Sequence, residues 1–197
     1  MKNTLATVQA VVSETMRDAE PTMRAALDGR LLALASVHDV LTREGWQSAE
    51  LGEIVAGALA PFGGGDVSRF RVHGPKLLLQ PRAAVALAMG LHELATNASK
   101  YGALCVDTGY VTFTWGLLAH PDYVTLNWTE TGGPVVATPT QRSFGSNMVE
   151  GALASDLGGT ATIHFDSAGV RCVIEAPLAE MVARSDRVAL PPFGSSW

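Results

Sequence analysis

Residues 82–100 place the tightest limit on what this chain can fold into. The stretch is rich in alanine and leucine and reads as one helix, and its uncharged, mostly apolar part, 83–91, is too short to span a bilayer. Within it His92, Glu93, Thr96, Asn97 and Lys100 are polar. Glu93, Asn97 and Lys100 stand at i, i+4 and i+7, so they project from one face near the C-terminal end. A carboxylate, a carboxamide and an ammonium on one stripe suit a metal-bound polyphosphate: the amide oxygen can ligate Mg²⁺ and the ammonium can offset phosphate charge. The same spacing is also met by an ordinary solvated face with an i,i+4 pair.

The segments on either side show what such a helix is built into. Upstream, Leu5, Val8, Val12 and Met16 recur at helical spacing, Pro21 interrupts, and Leu27, Leu31, Leu34, Ala35, His38 and Leu41 form a second stripe over 23–42. Two helices joined by a short turn make a hairpin whose apolar stripe exceeds what one partner helix can cover, so a dimeric four-helix bundle is expected, although two core helices of one globular domain meet the same pattern. A third short helix is expected at 51–59, ended by the Pro61–Gly65 turn, and a domain boundary at 45–50. Strands are expected at 67–72, 76–79, 110–118, 123–129, 160–165 and 170–176, with a helix over 146–157. The order predicts an α+β chain: an N-terminal hairpin (1–45), then an α/β sandwich (46–178) of mostly sequential antiparallel strands covered by helices on one face, then a tail (179–197) with little order beyond its first turn.

Composition narrows the functional classes. At 47% hydrophobic and 17% charged residues the chain can bury a substantial core, and a net charge of -5 lacks the electrostatic footprint of a general nucleic-acid or anionic-membrane binder. Two cysteines, Cys105 and Cys172, can make neither a disulfide scaffold nor a zinc site of their own, and suit small buried thiols. With no signal-peptide core at the N-terminus, a cytoplasmic location without a membrane segment is expected.

Two further clusters carry chemistry. Trp128-Thr129-Glu130-Thr131-Gly132-Gly133-Pro134 follows an apolar strand; Gly-Gly-Pro permits a sharp exit and close approach to a flat ligand, and Glu130 can accept from an exocyclic amine. A plain hairpin turn with an exposed glutamate meets the same pattern. In Ser143-Phe144-Gly145-Ser146 a glycine precedes a helix whose first N–H groups can meet phosphate. Gly158-Gly159 serves only to turn the chain.

Taken in this order, the segments resemble the catalytic core of a bacterial sensor histidine kinase, and more narrowly the HWE histidine kinases. The resemblance rests on the asparagine box His92-Glu93-Leu94-Ala95-Thr96-Asn97-Ala98-Ser99-Lys100-Tyr101-Gly102-Ala103-Leu104, on Trp128 with Glu130, and on Lys2-Asn3-Thr4-Leu5-Ala6 and Ala35-Ser36-Val37-His38-Asp39-Val40-Leu41. It implies a sandwich of the histidine-kinase (Bergerat) ATPase type that binds ATP with Mg²⁺. Asn97 matches the metal ligand, and Glu93 the residue that polarises the attacking group. Lys100 would face phosphate, Glu130 would recognise adenine with Gly132 and Gly133 near the base, and Gly145 and Ser146 would end a mobile lid between Pro134 and Asn147 and contact phosphates. His92 and Tyr101 fall in the same ATP-binding set. The implied partners are a second copy of the chain and a response-regulator receiver domain. The family's phosphate-accepting histidine aligns two residues upstream of Met1, so no phosphoacceptor is assigned within the chain. The other reading from the sequence is a non-catalytic dimeric adaptor or nucleotide sensor that docks a response regulator.

Overall fold

The computed structural model describes residues 2–63, 67–118, 122–137 and 144–183. Helices α1 (Lys2–Thr15) and α2 (Pro21–Arg43) form the hairpin. Pro21 starts α2 at a position where its missing N–H is no loss, and Glu20 caps the next free donor, Thr22 N–H. Trp46, in the left-handed region at φ 62°, ends the turn after α2 by donating to the Leu41 carbonyl. His38 is half-buried, its ring edge-on to Trp46 with centroids 5.0 Å apart.

A short strand β1 (Ala49–Glu50) leads into α3 (Leu51–Leu59) and pairs with β3 (Leu78–Leu79). The main sheet comprises β2 (Phe70–His73), β4 (Tyr110–Leu117), β5 (Tyr123–Thr131), β6 (Thr160–Asp166) and β7 (Gly169–Pro177), in the order β2-β4-β5-β7-β6. Helix α4 (Pro81–Tyr101) crosses its inner face, and α7 (Leu178–Met181) follows β7. Every pairing in this sheet is antiparallel except β2 with β4, which run parallel because α4 crosses over between them.

Three local expectations are corrected. The strand expected from 67 begins only at Phe70, because Val67–Arg69 winds as a 3-10 turn. The helix expected over 146–157 is a composite of α5 (Phe144–Asn147), a π-helical stretch Met148–Leu153 and α6 (Ala154–Asp156). Cys105 is exposed in the turn after α4, while Cys172 is buried in β7, its thiol pushed up to about 12 by burial. The tail beyond 183 lies outside the described residues.

The core shows why the elements sit as they do. Alternate residues of β4 and β5 point inward: Val111, Phe113 and Trp115 from one, Val124, Leu126 and Trp128 from the other. They meet α4, whose Ala84, Leu87, Leu91, Leu94 and Ala98 are buried. Helices α2 and α3 pack on the far side of α4. Val37, Val40 and Leu41 of α2 join this same core, so the C-terminal half of the second hairpin helix is packed as part of the sandwich. No described helix is long and apolar enough to cross a membrane.

Candidate functional site

Strand alternation decides the position of Glu130. It is the next inward residue of β5 after Val124, Leu126 and Trp128, so its carboxylate lies on the helix-facing side and is 5% exposed. The exposed hairpin-turn glutamate is therefore excluded: Trp128 and Glu130 both lie within the strand. Because they are i and i+2, the Trp128 indole N–H reaches Glu130 Oε1 at 3.2 Å. The Ala103 N–H donates to the other oxygen, Oε2, at 2.8 Å. Burial raises the Glu130 pKa, and these two donors oppose the shift. A Cβ on Gly102 would overlap the carboxylate, so glycine at the end of α4 is a condition of this arrangement.

The turn that presents Ala103 is itself held. Arg69 donates to the carbonyls of Val106 at 2.5 Å and Gly109 at 3.1 Å. Gly132, at φ 76°, lies against the Thr108 carbonyl, and Gly133 against Ala103, leaving no space for a side chain. Both glycines thus back the turn beneath Glu130.

Glu130 opens into a cavity of 390 Å³ shared with Asn97, Tyr101 and Gly102 of α4, Val135–Ala137 after β5, and Ser146 of α5. Ile163, Phe165 and Val170 supply its apolar wall. That wall comes from β6 and β7 and carries no motif that singles it out. Asn97, Tyr101, Glu130 and Ser146, taken from three separate stretches of sequence, are thereby brought together. Lys100 is exposed and does not line the cavity, and Ser143 lies outside the described residues. A more open groove of 570 Å³ between α2 and α3, with Asp39, Arg43 and Glu53 on its walls, includes Ser36, Asp39 and Val40 of the hairpin motif but none of the residues expected for nucleotide binding.

Glu93 and His92 have different surroundings. Glu93 is one turn before Asn97 and 5% exposed. Arg30 of α2 grips it with two bonds, Nε to Oε1 at 2.6 Å and Nη2 to Oε2 at 3.2 Å. Gly145 packs against the same carboxylate, where a Cβ would stand 2.7 Å from Oε2. His92 faces the hairpin, not the cavity: a Cβ on Gly29 would lie 2.9 Å from its Nε2, and Phe62 leans on its ring with centroids 5.2 Å apart. Its Nδ1 is buried without a hydrogen-bond partner, and burial holds its pKa below 6.5 against the raising effect of Glu93. Arg30 escaped notice in the sequence. The available signal was its neighbour Gly29, a glycine inside a helix, where it costs about 1 kcal/mol relative to alanine and so marks a close approach.

The chain is similar to known proteins both in sequence and in fold. The pattern of the HWE histidine kinase family matches residues 1–76. A blue-light-activated histidine kinase of Brucella anthropi is 39% identical over 181 residues, covering 90% of this chain and 37% of that protein. A protein of the same description from Brucella abortus is 36% identical over 186 residues, covering 92% and 38%. The chain thus spans little more than a third of the length of these relatives. In three dimensions it is similar to the histidine kinase domain of the Erythrobacter litoralis EL346 blue-light activated histidine kinase, with a TM-score of 0.65 at 16% identity over 91% of this chain and 93% of that one. The Acinetobacter baumannii histidine kinase AdeS gives 0.52 at 14% identity over 89% and 96%. Both likenesses establish a shared α+β fold. With residues 1–76 matching that family's pattern and relatives named as histidine kinases sharing 36–39% identity over nine-tenths of its length, the chain belongs to the HWE histidine kinases.

Proposed function

We propose that these residues form the kinase core of a two-component sensor histidine kinase, which binds Mg-ATP in the 390 Å³ cavity. The observation that carries this is the convergence of Asn97, Glu130 and Ser146 on one pocket with an apolar wall. The donor set fits the ligand. A carboxylate offers about four acceptor positions; Ala103 and Trp128 take two at Glu130, leaving capacity for the exocyclic amine of adenine. Ile163, Phe165 and Val170 suit the faces of a purine. Asn97 offers a neutral oxygen to Mg²⁺. When bound, Mg-ATP supplies the γ-phosphoryl group that such kinases pass to a histidine and then to a response-regulator receiver domain.

The chain's own residues select and orient. Glu130 chooses adenine, because guanine presents an acceptor at the matching position. Asn97 sets the phosphates through the metal, Gly145 and Ser146 close over them, and Glu93 polarises the attacking group. Lys100, exposed beside Tyr101 and outside the cavity lining, does not take the phosphate role that the resemblance implied. Tyr101, 73% exposed, lines the cavity beside Gly102 at the end of α4. His92 supports the site from the hairpin side. The hairpin's exposed Val8, Val11, Met23 and Leu32 suit burial against a second copy, which makes the working unit a homodimer. Asn97→Ala should abolish the metal-dependent part of ATP binding in calorimetry; equal Mg-ATP affinity in variant and parent would overturn the assignment.

A further inference from the structure

The Arg30–Glu93 pair lies between two units with different tasks. Arg30 belongs to the hairpin, whereas Glu93 belongs to the helix that carries Asn97 and Tyr101. Along α4, Tyr101 and Gly102 stand at the Glu130 end of the cavity, Asn97 about 6 Å back, and Glu93 about 6 Å further. A nucleotide whose base sits at Glu130 therefore runs its phosphates past Asn97 toward Glu93. There it would meet a buried carboxylate with Gly145 packed against it. Left ionised and unpaired, that carboxylate would repel the outermost phosphate. The guanidinium is the group that cancels it, held by two hydrogen bonds and with its own side chain 27% exposed.

We propose that Arg30 is a positioning residue lent by the hairpin to the nucleotide site: it neutralises and orients Glu93, and thereby makes a third phosphate tolerable at that end of the cavity. The proposal rests on the nucleotide-binding assignment above and deepens it. It also gives hairpin placement a direct route to nucleotide preference, since moving α2 away from α4 would expose the phosphate end to the Glu93 charge.

The test is the affinity of the full chain for adenosine, ADP and ATP with Mg²⁺, measured by calorimetry, with folding followed by circular dichroism. Arg30→Met should weaken ATP roughly tenfold more than ADP and leave adenosine unchanged. Adding Glu93→Gln to Arg30→Met should restore the ATP-to-ADP ratio; a double variant that regains stability but not the ratio would overturn the proposal. If Arg30→Met proves too unstable, Arg30→Lys keeps the charge without the two-point grip and should show a smaller shift in the same direction. Equal loss of ATP and ADP, or tighter ATP binding, in a folded variant would overturn the proposal and leave the nucleotide site standing. Failure of the parent chain to bind adenosine or either nucleotide would overturn both.

Discussion

The two buried carboxylates of the site, Glu93 and Glu130, are equally hidden and held by opposite means. Glu130 is kept by uncharged donors, the Trp128 indole and the Ala103 amide, both from the sandwich. Glu93 is kept by a full positive charge brought from the hairpin. The Glu130 end of the cavity is thus completed by residues of the sandwich alone, whereas Glu93 is balanced by a side chain of α2 packed against α4. Under the nucleotide assignment proposed above, base selection would fall to the sandwich and charge balance at the phosphates to the contact of α2 with α4.

Breaking the Glu93 side should have the largest effect. Arg30→Met leaves a carboxylate buried without its counter-charge, and urea unfolding should show a loss on the order of 3 kcal/mol. Arg30→Met/Glu93→Gln should recover most of it, because no buried charge then remains. A loss of equal size in the double variant would mean that Arg30 acts by packing alone.

On the Glu130 side the expected change is smaller. Trp128→Phe removes one hydrogen bond and part of a buried ring, for about 1–2 kcal/mol of stability. It should also narrow the preference for ATP over GTP, since the carboxylate loses the donor that fixes Oε1. An unchanged nucleotide preference would detach Trp128 from base selection.

The smallest effects are in pH dependence, and their signs differ between the two ends. His92, beside Glu93, has a folded pKa below 6.5. Its contribution is complete above pH 6.5 and is lost as acidification carries the pH down through the folded value, because the unfolded chain takes a proton that the native one refuses. Glu130 has a folded pKa above 4.5. Its contribution is complete below pH 4.5 and is lost as the pH rises through its folded value. Urea midpoints measured in steps from pH 7.5 down should therefore fall first on the His92 side. His92→Gln should flatten that fall, and Glu130→Gln should remove the opposing gain at lower pH. A His92→Gln variant with the parent's full slope would assign the titration elsewhere.

The elements themselves were largely legible, because periodicity records them: the apolar spacing in 5–16, 23–42 and 82–100, and the alternation in 110–118 and 123–129, correspond to α1, α2, α4, β4 and β5. The asparagine box and the Trp128–Glu130 pair were legible as motifs. Their surroundings were not. One period-2 step separates an exposed glutamate from one aimed at the core, and only the pairing of β5 between β4 and β7 settles which face is inside. The π-helical turn after Ser146 and the exposure of Cys105 depend on neighbours that no local pattern records.

By itself, then, the sequence determined the helices and strands, the family's marker residues and the chemistry those side chains can offer. The tertiary structure alone decided that Trp128 anchors Glu130, that β6 and β7 wall the cavity, and that Arg30 meets Glu93 across 63 positions of chain. The reason is one of range. Periodicity and turn chemistry act over a few residues, whereas burying a charge requires a partner whose place is set by how whole elements pack.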